Sequence, residues 1–318
     1  MKILVTGGAG FIGSHLCETL VKQHHKVICV DNFCDFYNPK IKENNLKELN
    51  KYPNFKFYNI DIRNVTELNA VFSKEPFDLM IHLAAMAGVR PSIENPQLYF
   101  DVNITGTVNL LEFCKKYNVK KIIFASSSSV YGNNHKVPFE ESDPVDNPIS
   151  PYAATKKSGE LICHTYHTLY NMSIACLRFF TVYGPRQRPD LAIHKFTNMI
   201  LNDEPIPVFG DGTTQRDYTY IDDILDGITK CIDYVFFGNK YQIFNLGESS
   251  TISLVEMIST IENTLNKKAK KNILPMQAGD VNRTFANISK SKKLLNYNPQ
   301  TKFTEGIKKF IDWKLQTQ

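Results

Sequence analysis

No two cysteines in this chain are spaced C-x-x-C, and none of the seven (positions 17, 29, 34, 114, 163, 176 and 231) sits with histidine at metal-ligand spacing. An odd count in a long chain also does not suit a disulfide framework, so a reducing compartment is expected and a bound metal is not. Apolar runs stop well short of the roughly 18 residues of a membrane span. Met1 leads straight into a strand pattern rather than a signal peptide, which makes a soluble, cytoplasmic protein without a membrane partner the expectation. No repeat of roughly 20–50 residues is visible. Charge of one sign is scarce as well: 37 basic residues against 32 acidic leave +5, much of it in Lys267, Lys268, Lys270 and Lys271. That excludes a nucleic-acid binder by charge.

Apolar bulk, by contrast, is plentiful. The chain has 318 residues, 42% of them hydrophobic, a length that suits one large domain or two intimately joined ones. Such a chain buries about three quarters of its unfolded surface, which excludes intrinsic disorder. The apolar residues come in short runs at 2–6, 26–30, 55–60, 78–83, 121–125 and 173–179, separated by amphipathic stretches, notably 11–23, 96–117 and 151–170. Short runs of this kind read as strands buried on both faces. Their alternation with helices predicts a parallel sheet with right-handed crossovers. Beyond Phe180, proline and glycine become denser (Gly184, Pro185, Pro189, Pro205, Pro207, Gly210, Gly212). The segments 217–221 and 241–246 flank an expected helix at 222–235 and are expected to return to the sheet, while 253–265 and 304–316 read as helices.

The first strand runs into G-G-A-G-F-I-G (7–13), with Gly7, Gly10 and Gly13 three apart and a helix following at once. Glycine serves the tight turn, the close approach of backbone to a pyrophosphate and helix–strand packing, and the helix N-terminus favours the anion. The pattern therefore predicts an α/β fold: a Rossmann-type doubly wound parallel sheet over 1–180, to which 217–246 returns, with a smaller C-terminal substrate-binding lobe over 181–318. Asp31, followed by Asn32, ends the second strand eighteen residues after Gly13, where a carboxylate accepts from adenosine ribose hydroxyls and repels a 2′-phosphate. NAD is thus expected over NADP. Asp61 with Ile62 after the third strand is a weaker candidate for flanking the adenine. Tyr152 and Lys156, in Y-A-A-T-K, fall four apart on one helical face. A tyrosine alone has a pKa near 10; a neighbouring ammonium and a cationic nicotinamide would lower it toward a useful base. Upstream, A-S-S-S-S-V-Y-G (125–132) puts a run of hydroxyls at the carboxyl edge of the sheet.

With these motifs in this order, the sequence resembles the extended short-chain dehydrogenase/reductase family, specifically its nucleotide-sugar epimerases. The resemblance extends through H-L-A-A (82–85), R-F-F-T-V-Y-G-P (178–185), V-F-G-D-G (208–212), R-D-Y-T-Y-I-D-D (216–223) and G-D-V-N-R-T (279–284). Within that group, M-A-G-V-R-P-S-I-E-N-P (86–96) and T-V-Y-G-P-R-Q-R-P-D (181–190) look most like UDP-glucuronate 4-epimerases. The resemblance implies Tyr152 as catalytic base, Lys156 as its electrostatic partner and ribose ligand, and Ser127 as the hydroxyl that bonds the sugar's 4-hydroxyl. It adds Phe11, Ile12, Leu83, Ala84 and Ala85 to the cofactor site. Ser128, Thr181, Phe209, Arg216 and, more loosely, Arg283 are implied as substrate contacts, the last three along a uridine diphosphate. The family's helices near 96–117 and 151–170 commonly form a dimer bundle, which implies a homodimer.

Several chemistries of such proteins begin with oxidation at sugar carbon 4 and then diverge. Sugar 4,6-dehydratases typically carry Asp-Glu just before V-Y-G, and UDP-glucuronate decarboxylases usually keep the Glu; here both places are hydroxyls, Ser128 and Ser129. Without a carboxylate to move a proton at carbon 5 or 6, epimerisation with return of the same hydride is the expected outcome. The resemblance implies that Arg90 and Arg188 lie near the sugar, where a guanidinium fork would match a uronate's carboxylate. A neutral-sugar epimerase acting on UDP-glucose or UDP-N-acetylglucosamine is the alternative, followed by a dehydratase or decarboxylase. A non-enzymatic NAD-sensing protein is also considered, although the loss of Tyr or Lys that marks such proteins is not seen. His24 and His25 read as an exposed turn, His194 as a lobe-packing or ribose-side residue rather than a catalyst, and Asp222 and Asp223 as caps of the following helix.

Overall fold

Strand β1 (Lys2–Thr6) sends Ile3 and Val5 to one side and Leu4 to the other, and each side is sealed by its own apolar cluster. This is the period-two consequence of a strand covered on both faces. In the computed structural model, which describes residues 1–275 and 282–317, six further strands repeat it: β2 (Lys26–Asp31), β3 (Phe55–Asn59), β4 (Leu79–His82), β5 (Lys121–Ser127), β6 (Ser173–Phe179) and β7 (Tyr241–Leu246). They form one parallel sheet in the order β7-β6-β5-β4-β1-β2-β3. The order reverses between β1 and β4, so a crevice opens beyond their carboxyl ends, which is where ligands of doubly wound sheets bind.

Helices α1 (Phe11–Lys22), α2 (Pro39–Leu46), α3 (Gly106–Lys116), α4 (Pro151–Tyr170) and α5 (Ile221–Phe236) accompany the sheet. Helix α4 starts where its sequence says it should: Ser150 caps it by accepting from the Ala153 N–H, Pro151 takes a first-turn place where no N–H is needed, and Asn171 closes it in the left-handed conformation. The stretch 96–117 is not the single helix expected. Pro96–Phe100 and α3 are joined by a π-helical turn, Asp101–Thr105.

A smaller lobe follows β6, built of helices Ala192–Leu201, Leu254–Leu265 and Phe303–Gln316 with short strand pairs, Ile206–Phe209 with Lys271–Leu274 and Gln215–Arg216 with Ile252–Ser253. Within 217–246, β7 joins the main sheet beside β6 as expected. Tyr218–Tyr220 does not; it pairs in parallel with Thr181–Tyr183. Nor do Asp222 and Asp223 cap α5. They lie in its first turn, and Asp223 instead accepts from the backbone N–H groups of Gln300 and Thr301. Of the 279–284 motif, Gly279, Asp280 and Val281 lie outside the described residues.

Candidate active site

The crevice is a cavity of about 850 Å³. Its first wall is the β1–α1 turn. Gly7 has φ +72°, and a Cβ on it would sit 2.6 Å from the Ala84 nitrogen; a Cβ on Gly13 would sit 2.1 Å from the Gly7 oxygen. Only glycine lets the turn lie this close to the end of β4 and to its own helix, leaving the cradle for a pyrophosphate. Gly10, Phe11 and Ile12 complete that wall, with Leu83, Ala84 and Ala85 opposite. Beneath them His82 is fully buried, with one ring nitrogen against each of the Thr6 and Thr107 hydroxyls, and burial pulls its pKa down to about 3. It is neutral packing, with no proton to trade.

At the far end, the carboxylate of Asp31 accepts from the backbone N–H groups of Ala9 (3.2 Å) and Phe33 (3.0 Å) and from Lys42 Nζ (3.2 Å). Both side chains of the Asp31–Lys42 pair are buried, at 5% and 7% exposure. Asn32 donates to Asp61, whose carboxylate is gripped by Arg63 through two bonds and held down to about 2. Ile62 is buried beside Gly106, where a side chain would collide with it.

At the centre, Ser127, Ser128, Tyr152 and Lys156 meet on the cavity wall. Ser127 ends β5, with its Oγ accepting from the Ser129 N–H. Lys156 Nζ donates to the Ala125 carbonyl at 2.8 Å and lies 5.9 Å from the Tyr152 ring centre. Burial pulls its pKa down to about 8. In the protein alone, burial pushes the Tyr152 hydroxyl above the ordinary tyrosine value, opposed by a hydrogen bond with Ser127 and by the Arg188 charge. The lowering expected from the Lys156 ammonium together with a cationic nicotinamide concerns the cofactor-bound site. Under this floor, Glu160, one turn beyond Lys156, takes both a bidentate pair from Arg178 (2.8 Å each) and the Ser126 hydroxyl (2.6 Å). This fully buried pair ties α4 to β5 and β6.

Thr181, Arg188, Arg216 and Thr284 also line the cavity. Arg188 is already engaged: its fork holds Asp190 at 2.7 and 3.0 Å, reaches the Ala87 carbonyl, and lies over Phe36 at 5.0 Å. Burial opposes its charge, but Asp190 holds its pKa above the ordinary arginine value. Arg90, Phe209 and Arg283 are not on the cavity wall. Arg90 lies over the Phe209 ring at 5.1 Å, and Arg283 over Phe285. His194 packs against Phe310 and Trp313, away from the cavity.

Sequence reasoning missed four residues here: Lys42, Phe36, Asp190 and Asn103. Asn103, presented by the π turn, pins the Met86 backbone through both N–H and carbonyl and bonds Thr155 on α4. The interruption of an amphipathic helix by N-I-T-G left no pattern that points to that role.

The family model of GDP-mannose 4,6 dehydratase matches residues 4–310. The chain is 48% identical to a UDP-glucuronate 4-epimerase of Thermodesulfobacterium geofontis over 311 residues, covering 98% of this chain and 95% of that one. Among solved structures, UDP-glucuronic acid 4-epimerase from Bacillus cereus, in complex with UDP-glucuronic acid and NAD, superposes with a TM-score of 0.92 at 40% identity, covering all of both chains. UDP-glucose 4-epimerase from Thermotoga maritima, with UDP-glucose, gives 0.91 at 33% identity, covering 100% and 99%.

Proposed function

Because the chain belongs to the extended short-chain dehydrogenase/reductase family, with the match to the GDP-mannose 4,6 dehydratase model spanning residues 4–310, we propose that it inverts carbon 4 of a UDP-sugar, UDP-glucuronate to UDP-galacturonate. The observation that carries this reading is the meeting of Ser127, Tyr152 and Lys156 on the wall of one cavity that the glycine turn and the guanidinium groups of Arg188 and Arg216 also line. The cradle fits NAD: the absence of side chains at Gly7 and Gly13 lets the β1–α1 turn pack against the end of β4 and its own helix, which leaves backbone and a helix N-terminus for a pyrophosphate, and Asp31 stands at the end of β2 to accept from a ribose. When bound, NAD supplies the hydride acceptor and donor for carbon 4.

The chain's own residues do the rest. With the Lys156 ammonium and the positive charge of a bound nicotinamide favouring its phenolate, Tyr152 takes the proton of the sugar's 4-hydroxyl and later returns one to the oxygen at that carbon; Ser127, hydrogen-bonded to Tyr152, orients the hydroxyl. Lys156, anchored on the Ala125 carbonyl, holds a ribose and adds positive charge on the tyrosine's side of the site. No carboxylate stands at Ser128 or Ser129 to draw a proton from carbon 5 or 6, which favours inversion over the dehydration named by the family model. Thr181 and Arg188 face the carbon-5 substituent and Arg216 serves the diphosphate, while Arg90, Phe209 and Arg283 stand off the cavity wall. A homodimer through the outer faces of the helices at 96–116 and 151–170 accords with the exposed Phe100, Leu161 and Leu169. No helix among the described residues is long and apolar enough to cross a membrane.

The test is product analysis by NMR with UDP-glucuronate, UDP-glucose and UDP-N-acetylglucosamine side by side. UDP-galacturonate should form fastest. Preference for either neutral sugar would move the assignment to that sugar, and a 4-keto-6-deoxy product would replace inversion with dehydration.

A further inference from the structure

The buried partner of Asp31 changes what the ribose end of the cavity can hold. A lone carboxylate there would repel a 2′-phosphate by charge, yet Lys42 Nζ lies 3.2 Å from Asp31 Oδ1, so the pair is close to neutral. The ammonium is set in place by α2, which starts at Asn38 and Pro39 and is tied to the β1–α1 turn by Asn45 donating to the Ala9 carbonyl. Two of its three N–H groups are used, on Asp31 and on Cys34 Sγ at 3.3 Å, and the ammonium lies 5.5 Å from the Tyr37 ring centre; Lys42 lines the cavity, and an ammonium has a third N–H for a ligand there. Asp31 is nearly full in turn. Oδ1 receives Phe33 N–H and Lys42, and Oδ2 receives Ala9 N–H, which leaves capacity for about one strong bond from a ribose hydroxyl.

We propose that Lys42 is the second determinant of cofactor choice, a buried cation that Asp31 masks, so that the ribose end is a 2′-phosphate site held closed by one carboxylate. This rests on the reading of the cavity as an NAD site. With Asp31 neutralised, the ammonium faces the ribose uncompensated and takes a phosphate there, as a charge-assisted bond.

The experiment quantifies the nicotinamide nucleotide released from purified protein by chromatography, for the natural chain and four variants. The natural chain should carry NAD with little NADP. Asp31→Asn should raise the NADP share at least tenfold, Asp31→Asn with Lys42→Arg should keep that gain, and Asp31→Asn with Lys42→Met should lose it. Lys42→Met alone, with Asp31 intact, should weaken NADP⁺ binding a further tenfold in a displacement titration, a readout that survives if the Asp31 variants do not fold. A gain that persists with Lys42→Met would assign discrimination to Asp31's repulsion alone and overturn the proposal, as would an Asp31→Asn protein that gains no NADP, or unchanged NADP⁺ affinity in Lys42→Met. Natural protein carrying no nicotinamide nucleotide at all would remove the cofactor reading, and the proposal with it; NAD in the natural chain without the predicted shifts removes only the role of Lys42.

Discussion

The two ends of the cavity are built by different means. At the cofactor end the backbone dominates: Gly7, Gly10 and Gly13 clear space, Ala84 and Ala85 stay small, and all of it comes from the segments that follow β1 and β4 in the first 85 residues. At the sugar end the wall is side chains, Ser127, Tyr152, Thr181, Arg188, Arg216 and Thr284, gathered from segments more than 150 residues apart. The contrast implies opposite sensitivities. The sugar end should suffer from losing atoms, and the cofactor end from gaining them.

The largest effect should come from Tyr152→Phe, which removes only a hydroxyl. Turnover should fall roughly 10²–10⁴-fold while bound NAD and UDP-sugar affinity, measured by nucleotide release and calorimetry, stay near normal; near-normal turnover would remove Tyr152 from the mechanism. Next is Arg188→Ala. An interfacial charge left without its partner costs about 2–5 kcal/mol, so UDP-glucuronate turnover should drop by that equivalent while any UDP-glucose turnover changes little. Because Asp190 occupies the same guanidinium, equal losses on both sugars would mean that Arg188 serves Asp190 and the Ala87 carbonyl rather than a uronate.

Gly13→Ala adds one methyl where 2.1 Å is available. Overpacking of this kind costs about 1–3 kcal/mol, and here it should also expel the co-purifying cofactor. Urea denaturation and nucleotide release read both, and a variant that keeps its NAD would break the contrast between the two ends. The smallest effect is a pH dependence in the lobe. Burial, then Asp223 and Asp217, push the Glu248 carboxyl up to about 8. The folded state therefore holds a proton that the unfolded state has released, so this contribution is present below about 4.5 and is lost as pH rises toward 8. Glu248→Gln should flatten that decline in the thermal midpoint; an unchanged slope would place its origin elsewhere, with buried Asp217, pushed up to about 6, next in line.

The same contrast explains what could be read from the chain before its structure. β1, β2 and β6 appear within a residue of their expected bounds because each is a short apolar run bounded by turns, a signal that lies within the segment. The glycine cradle is legible for the same reason. The break at Asp101–Thr105 is not, because Asn103 is held by Met86 and Thr155, partners that a local pattern does not contain. Tyr218–Tyr220 leaves the sheet for Thr181–Tyr183 for a similarly remote reason: the Asp217 carbonyl takes the Thr181 N–H, while its carboxylate gathers backbone N–H groups from Glu248, Ser249 and Ala286. Tyr152 and Lys156 were legible as a pair, but the upward shift of the tyrosine in the protein alone was not, since it depends on how much protein surrounds the hydroxyl. Lys42 follows Asp31 by eleven residues and returns to it only because a helix begins at Pro39.

Six of the seven cysteines are sealed inside the protein; Cys34 alone is partly accessible, and it lies on the cavity wall beside Lys42. The chain therefore comes with a single natural attachment point for a thiol-directed dye, placed at the ribose end of the cleft. A label there needs no engineered cysteine and no removal of the others, and its emission would report arrival and departure of nucleotide in real time, independently of any sugar being turned over.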